Sequence, residues 1–273
     1  MALGQPNTLA SAGAKPPTGK SSALLNLGKL FASFALAAVV GCAHVSERDR
    51  VEAQAHYDLA LNVFVERPRE SYKEIESALK ANPEHAESWH LKALLLHTAF
   101  GRTDEALTAY GKALQLKPVF SEARVNYGNL LMDQHRYDEA IAQYELALND
   151  VLYGGTFIAH GNMGWALYKK GDVRKGLEHL RAAVSLNSKY CLGHLQLGMF
   201  YEEQGSLADS CKAYGKYREA CPEAADAYRR EGVCQAKSGD AAAAAKSFDT
   251  CLAKATIDDL KDQCTTLKAQ LRP

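Results

Sequence analysis

The chain has 273 residues, 47% of them hydrophobic, with 32 basic and 32 acidic side chains. The lead up to Gly41 carries Lys15, Lys20 and Lys29 and no acid, so the remainder holds 29 bases against 32 acids, a net charge of −3. No basic stripe is left for nucleic acid or an anionic bilayer, and about 230 residues are enough to bury a large core as one repeat array or two small domains.

The N-terminal lead runs into a short apolar stretch, Leu30 to Val40. That is too short to span about 30 Å of hydrocarbon as a helix. A basic lead, a short apolar core and small residues at its end describe a secretory signal peptide over 1–41. Val39-Val40-Gly41-Cys42 resembles the lipobox of bacterial lipoproteins. The resemblance implies removal of 1–41 and lipid on the Cys42 thiol and amine. Ala43, where inner-membrane retention would use Asp, implies the outer membrane with the domain in the periplasm. Residues 42–51 are expected to form a tether reaching roughly 30 Å at ~3.4 Å per residue. Gly13 to Ser21 is a near miss to a phosphate loop, with its spacing too long by one, and lies in the part expected to be removed.

Beyond the tether the chain repeats itself. Asp104-Glu-Ala-Leu-Thr-Ala-Tyr-Gly-Lys-Ala-Leu returns at an offset of 34 as Asp138-Glu-Ala-Ile-Ala-Gln-Tyr-Glu-Leu-Ala-Leu. Gly128, Gly164, Gly198 and Gly232 follow at offsets of 36, 34 and 34, and Gly101, Gly171, Gly205 and Gly239 mark turns seven positions beyond the corresponding sites. Tyr110, Tyr144, Tyr214 and Phe248 stand four positions after a small residue, and Pro83, Pro118 and Pro222 fall where a repeat ends. This pattern resembles the tetratricopeptide repeat. It implies an all-α superhelix of six helix-turn-helix units at 52–85, 87–120, 121–154, 157–190, 191–224 and 225–258. The first unit is weak, with Asp58-Leu59 in place of its usual Leu-Gly, and the fourth has Gly176 where Ala is usual. Ile257, Leu260, Cys264, Leu267 and Leu271 have helical spacing, and 259–273 is read as a helix capping the open end of the array.

Six further cysteines crowd into the last two units and the cap. An exported protein meets an oxidising compartment. Neighbouring helices of the repeat are antiparallel, so facing positions have indices summing to about 32. That rule pairs Cys191 with Cys221, Cys211 with Cys234 and Cys251 with Cys264. Buried free thiols at small-residue positions are the alternative, and the lack of any Cys-x-x-Cys argues against a metal site.

No catalytic signature emerges. The nine histidines include no His-Glu-x-x-His run, His90 and His97 are seven apart on one helix, and there is no Gly-x-Ser-x-Gly. The expectation is a non-enzyme with no cofactor, no metal, no small-molecule substrate and no nucleic-acid partner.

Repeats of this type line a concave groove with positions 2, 5, 9 and 12 of each first helix. Those positions are occupied by Leu91, Leu95, Val125, Asn129, Met132, Ile158, Trp165, Tyr168, Leu192, Leu195 and Met199. Asn129 and Asn162 fit the Asn positions of a carboxylate clamp, but Val125, Leu192 and Gln196 stand where its cations belong. An apolar partner segment, anchored on Trp165 and Tyr168, is therefore expected. For any single residue, packing between repeats is the alternative.

The spacing between the third and fourth units is 36, with extra residues in Leu152-Tyr153-Gly-Gly-Thr-Phe157. Ala159-His-Gly-Asn162-Met-Gly164 follows, and later Ala213-Tyr-Gly-Lys-Tyr217-Arg218. A lipobox, six repeats and this insertion together resemble the type IV pilus pilotins of the PilF/PilW class, including those of gliding bacteria. The resemblance implies an outer-membrane assembly factor with secretin subunits as partners, serving pilus-dependent motility. The competing reading is a general periplasmic repeat scaffold for β-barrel assembly or cell-wall hydrolase recruitment.

Overall fold

The computed structural model describes residues 45–271; the lead and Cys42 lie outside the described residues. Within them the chain forms thirteen helices and no strand. They are α1 (Glu47–Val63), α2 (Pro68–Ala81), α3 (Ala86–Thr98), α4 (Thr103–Leu116), α5 (Ser121–Asp133), α6 (Tyr137–Leu148), α7 (Thr156–Lys170), α8 (Val173–Leu186), α9 (Cys191–Glu203), α10 (Leu207–Ala220), α11 (Ala225–Lys237), α12 (Ala241–Lys254) and α13 (Asp258–Ala269). Each odd helix up to α11 packs on the even helix after it, giving six pairs, and α13 packs on α12 and α11.

Helix α1 begins inside the stretch expected to be tether. Ser46 stops the extended chain there: its Oγ accepts from the Asp49 amide at 3.2 Å while its own amide donates to Asp49 Oδ2 at 3.1 Å. This reciprocal cap satisfies two amides that a helix start leaves open.

The turn inside each pair from the second to the sixth carries one residue in the left-handed region. Gly101, Gly171, Gly205 and Gly239 occupy it, with φ between +65° and +104°. A Cβ would be strained at that φ. In the third pair the position falls to His135, at φ +57°. The turns are closed by bonds back to the preceding helix: the Arg136 amide donates to the Leu131 carbonyl, Asp172 to Leu167, Ser206 to Tyr201 and Asp240 to Gln235, each at 2.9 Å.

The core lies in the gaps between paired helices. Tyr110, Tyr144 and Phe248 are fully buried there, and Tyr214 is 2% exposed. The fourth pair solves the same problem differently. Leu180 stands where the second, third, fifth and sixth pairs carry an aromatic ring, and both Gly164 and Gly176 lack a Cβ. A Cβ on Gly164 would sit 2.7 Å from the Leu180 nitrogen and 2.8 Å from the Gly176 oxygen. Helices α7 and α8 therefore meet backbone to backbone, the closest approach that a missing side chain permits.

The last third is cross-linked. Cys191 is joined to Cys221, Cys211 to Cys234 and Cys251 to Cys264, with Cα separations of 5.8, 5.4 and 6.4 Å. These are the pairs that the index sums give, all within disulfide reach. The bonds tie α9 to the end of α10, α10 to α11, and α12 to α13. Leu260 and Cys264 of α13 pack on Cys251, Ala225 and Ala255, so the helix covers the final pair. Ile257 stays outside that seam, 66% exposed, because it precedes the first turn of α13.

Candidate partner-binding groove

Helices α3, α5, α7 and α9 lie side by side, each contacting the next odd helix or the pair between them. This wall is where the groove residues are expected. Three of them are core instead. Leu91 is 4% exposed and Leu95 fully buried, packed with Ala60 and Ile75 of the first pair. Val125 is 3% exposed, packed with Tyr144, Ala159 and Met163. The physical reason is the stacking of repeats: positions 5 and 9 turn toward a neighbouring helix wherever that neighbour offers a small residue or a gap. Ile158 and Met132 rest, partly buried, on the same cluster as Val125.

Asn129 and Asn162 do come together, but they bind each other. Asn162 Nδ2 donates to Asn129 Oδ1 at 2.8 Å, and the Tyr144 hydroxyl donates to that oxygen at the same distance. Asn162 is 8% exposed. Asn129 Oδ1 and Asn162 Nδ2 are thus spent bridging α5, α6 and α7, and Val125, Leu192 and Gln196 stand where the cations of a carboxylate clamp belong. Gln196 is buried as well, facing Gly161 across the α7–α9 contact.

The members of the expected groove set that stay at least partly open cluster on α7 and α9. The Trp165 and Tyr168 rings are 5.5 Å apart on one face of α7, and Tyr168 leans edge-on against Phe200 at 4.9 Å. Lys169 Nζ lies 4.6 Å from the Trp165 ring centroid and 5.3 Å from that of Tyr168. The same ammonium is 3.1 Å from Glu203 Oε1, and the Tyr168 hydroxyl donates to Glu203 Oε2 at 2.7 Å. Burial, followed by the bond to Glu203, raises the Tyr168 phenol pKa, and the Tyr168 hydrogen bond holds the Glu203 carboxyl below its usual range. Lys169 and Glu203 are not singled out by the sequence pattern. Their signal is the spacing: an offset of 34 places them at the same index of consecutive units, which are neighbours in a stack.

Along α9 the surface is apolar. Leu192 is 43% exposed, Met199 is half-buried, and Leu195 rests on Tyr217 and Ala227. It ends on α11 in ion pairs: Arg229 and Arg230 bind Asp226, and the Arg230 guanidinium also meets the Tyr214 hydroxyl at 2.9 Å and Glu202 at 3.6 Å. These groups are spent on one another. The site offers aromatic and aliphatic surface with a fixed cation above the rings, which suits non-covalent capture of a chain segment. His90 is half-buried against Phe120 with its Nε2 on Asn126 Nδ2 at 2.9 Å, and His97 pairs with Asp133, so the two histidines do not converge on one point. Among the described residues no group of three or more His, Cys, Asp or Glu could hold a metal ion.

Comparison with known proteins agrees with this architecture. Family profiles described as tetratricopeptide repeat match residues 97–151 and 195–256. A curated relative, the peroxisomal targeting signal receptor of Saccharomyces cerevisiae, is 33% identical over 125 residues. That is 45% of this chain but 20% of the receptor, so the chain spans about a fifth of that relative's length. Among solved structures, PilW, described as a widely conserved type IV pilus biogenesis factor, superposes with a TM-score of 0.69 at 23% identity, covering 79% of this chain and 97% of PilW. PilF of Pseudomonas aeruginosa superposes with a TM-score of 0.65 at 17% identity, covering 81% of this chain and all of PilF. The fold is a tetratricopeptide-repeat superhelix, similar over most of its length to those of PilW and PilF.

Proposed function

We propose that this chain is a lipid-anchored assembly factor of the outer membrane that holds an apolar segment of type IV pilus secretin subunits in the α7–α9 groove. The observation that carries the reading is the Trp165–Tyr168–Lys169 platform, continuous with Leu192, Leu195 and Met199 and free of carboxylate-clamp chemistry. The likeness of fold to PilW and PilF, and the Val39-Val40-Gly41-Cys42-Ala43 run, support the pilus and membrane parts of it.

Truncating a buried aromatic anchor costs about 2 kcal/mol or more, so Trp165→Ala should weaken secretin binding at least about thirtyfold. The test expresses Trp165→Ala and Tyr168→Ala in cells lacking the protein and measures heat-resistant secretin multimers and surface pili, with circular dichroism to verify folding. Normal multimers from a folded double variant refute the groove. Intact multimers after complete deletion refute the secretin role and leave the general scaffold reading. Mass spectrometry of the purified N-terminus tests lipid on Cys42 separately.

A further inference from the structure

The connection between α6 and α7 carries Val151 and Leu152 at 96% and 89% exposure, among the most exposed large hydrophobic side chains of the described residues. They are not on a loose strand of chain. Asp150 Oδ2 accepts from Ser121 Oγ at 2.6 Å, its Oδ1 accepts from the Leu152 amide at 3.0 Å, and its carbonyl accepts from the Tyr153 amide at 3.1 Å. Tyr153, 8% exposed, is buried in the core of the third and fourth pairs. The bond to Ser121 also pins this loop to the α4–α5 connection, where Val119 is 67% exposed. Three aliphatic side chains are thus held outward on adjoining turns.

Their position in the topology says what they face. Every even-to-odd connection lies on the edge where the odd helices begin. Helix α1 begins on that edge too, and only Ala43, His44 and Val45 separate its cap, Ser46, from Cys42. A lipid on Cys42 would hold the start of α1 within about 14 Å of the bilayer, and the α4–α5 and α6–α7 connections lie on the same edge of the array. The charges beside the tip are Asp150, Glu122 and Arg124, whose guanidinium is held by the Pro118 carbonyl at 2.7 Å and by Gln143 Oε1 at 2.9 Å, while Lys117 is paired to Glu87, so attraction to lipid would be mainly apolar.

We propose that Val119, Val151 and Leu152 dock into the interfacial layer of the bilayer that carries the Cys42 lipid, fixing the domain with this edge toward the membrane. The inference rests on the lipidation in the proposed function. Val65, 83% exposed in the α1–α2 turn on the opposite edge, is the built-in control.

The experiment uses the full acylated protein in phosphatidylethanolamine and phosphatidylglycerol vesicles with brominated acyl chains. Val151→Trp and Val65→Trp variants are each compared with the parent, whose Trp89 and Trp165 set the background. Both positions are exposed, so the indole displaces no packing. Bromolipid should quench the added emission several-fold more in the Val151→Trp protein than in the Val65→Trp protein, unchanged by raising salt. Equal quenching in the two variants, or none in Val151→Trp, overturns the docking. An indole in the Val151→Trp protein that bromolipid leaves alone but added secretin subunits shield assigns the tip to a protein contact and also overturns it. N-terminal mass separates the two readings. An acylated Cys42 with an unquenched indole in the Val151→Trp protein sinks the docking alone, whereas an unacylated Cys42 sinks both.

Discussion

The backbone contact between α7 and α8 gives a substitution whose sign depends on where it is made. Ala is favoured over Gly in a helix interior by about 0.8–1 kcal/mol. At Gly111, inside α4, an added Cβ meets nothing within 4 Å, so Gly111→Ala should keep most of that gain. At Gly164 the same Cβ would lie 2.7 Å from the Leu180 nitrogen, 2.8 Å from the Gly176 oxygen and 2.9 Å from Leu180 Cγ. Ordinary contacts sit at about 3.5–4.0 Å, so the helices must separate by most of an ångström, and two of the three atoms are backbone that cannot rotate away. Overpacking costs typically about 1–3 kcal/mol; backbone contacts place this case near the top, leaving a net loss of about 2 kcal/mol. One kcal/mol shifts Tm by about 2–4 °C at this size, so Gly164→Ala should melt about 4–8 °C lower and Gly111→Ala about 2–4 °C higher. Repeat arrays unfold piecewise, so circular dichroism melts need a nearest-neighbour treatment and Trp165 emission as a local probe of the fourth pair. A Gly164→Ala protein at least as stable as the parent would show that the close approach does not hold the helices together.

Three further outcomes are expected. His135→Gly relieves a left-handed residue at φ +57° and should stabilise the third pair by about 1 kcal/mol, read as a rise in the urea midpoint; an unchanged or lower midpoint refutes the strain. Without reductant, none of Cys191, Cys211, Cys221, Cys234, Cys251 and Cys264 should react with a thiol reagent in denaturant. Removing the 251–264 bond as a double Ser variant should then cost about 3 kcal/mol and fray α13 first, whereas six reactive thiols in the parent would refute the bonds. Burial pushes the His90 imidazole down to about 4, so between pH 6.5 and 4 the unfolded chain binds a proton that the folded one refuses. Stability from this group is complete above pH 6.5 and falls on acidification by on the order of 3 kcal/mol. His90→Gln should remove that step, and an unchanged acid slope of the urea midpoint would refute it.

Much of the repeat was legible because its causes are local and periodic. Glycine at a fixed index forces the turn in four pairs, and the aromatic ring four positions after a small residue fills the gap in most of them. The cysteine pairs were readable for the same reason: antiparallel neighbours turn a spatial contact into a sum of indices. The groove was harder. Leu91, Leu95 and Val125 have the same index and chemistry as the positions that stay open, yet neighbouring pairs cover them. Asn129 and Asn162 fit the amide positions of a clamp, yet Asn129 Oδ1 accepts from both Asn162 and Tyr144. No single-helix pattern records such contacts, since they depend on how much each neighbour overlaps.

What the sequence determined by itself was the period, the turn residues, the apolar stripe of each helix and the pairing of thiols, all set by spacing along one chain. Tertiary structure alone decided which members of the apolar stripe remain open, that Lys169 sits above the Trp165 and Tyr168 rings, and that Val151 and Leu152 are held outward by Asp150. Exposure is a property of the stack: a side chain is open only where no neighbouring helix has come close enough to exclude water, and that distance is set by the volumes facing it from other repeats.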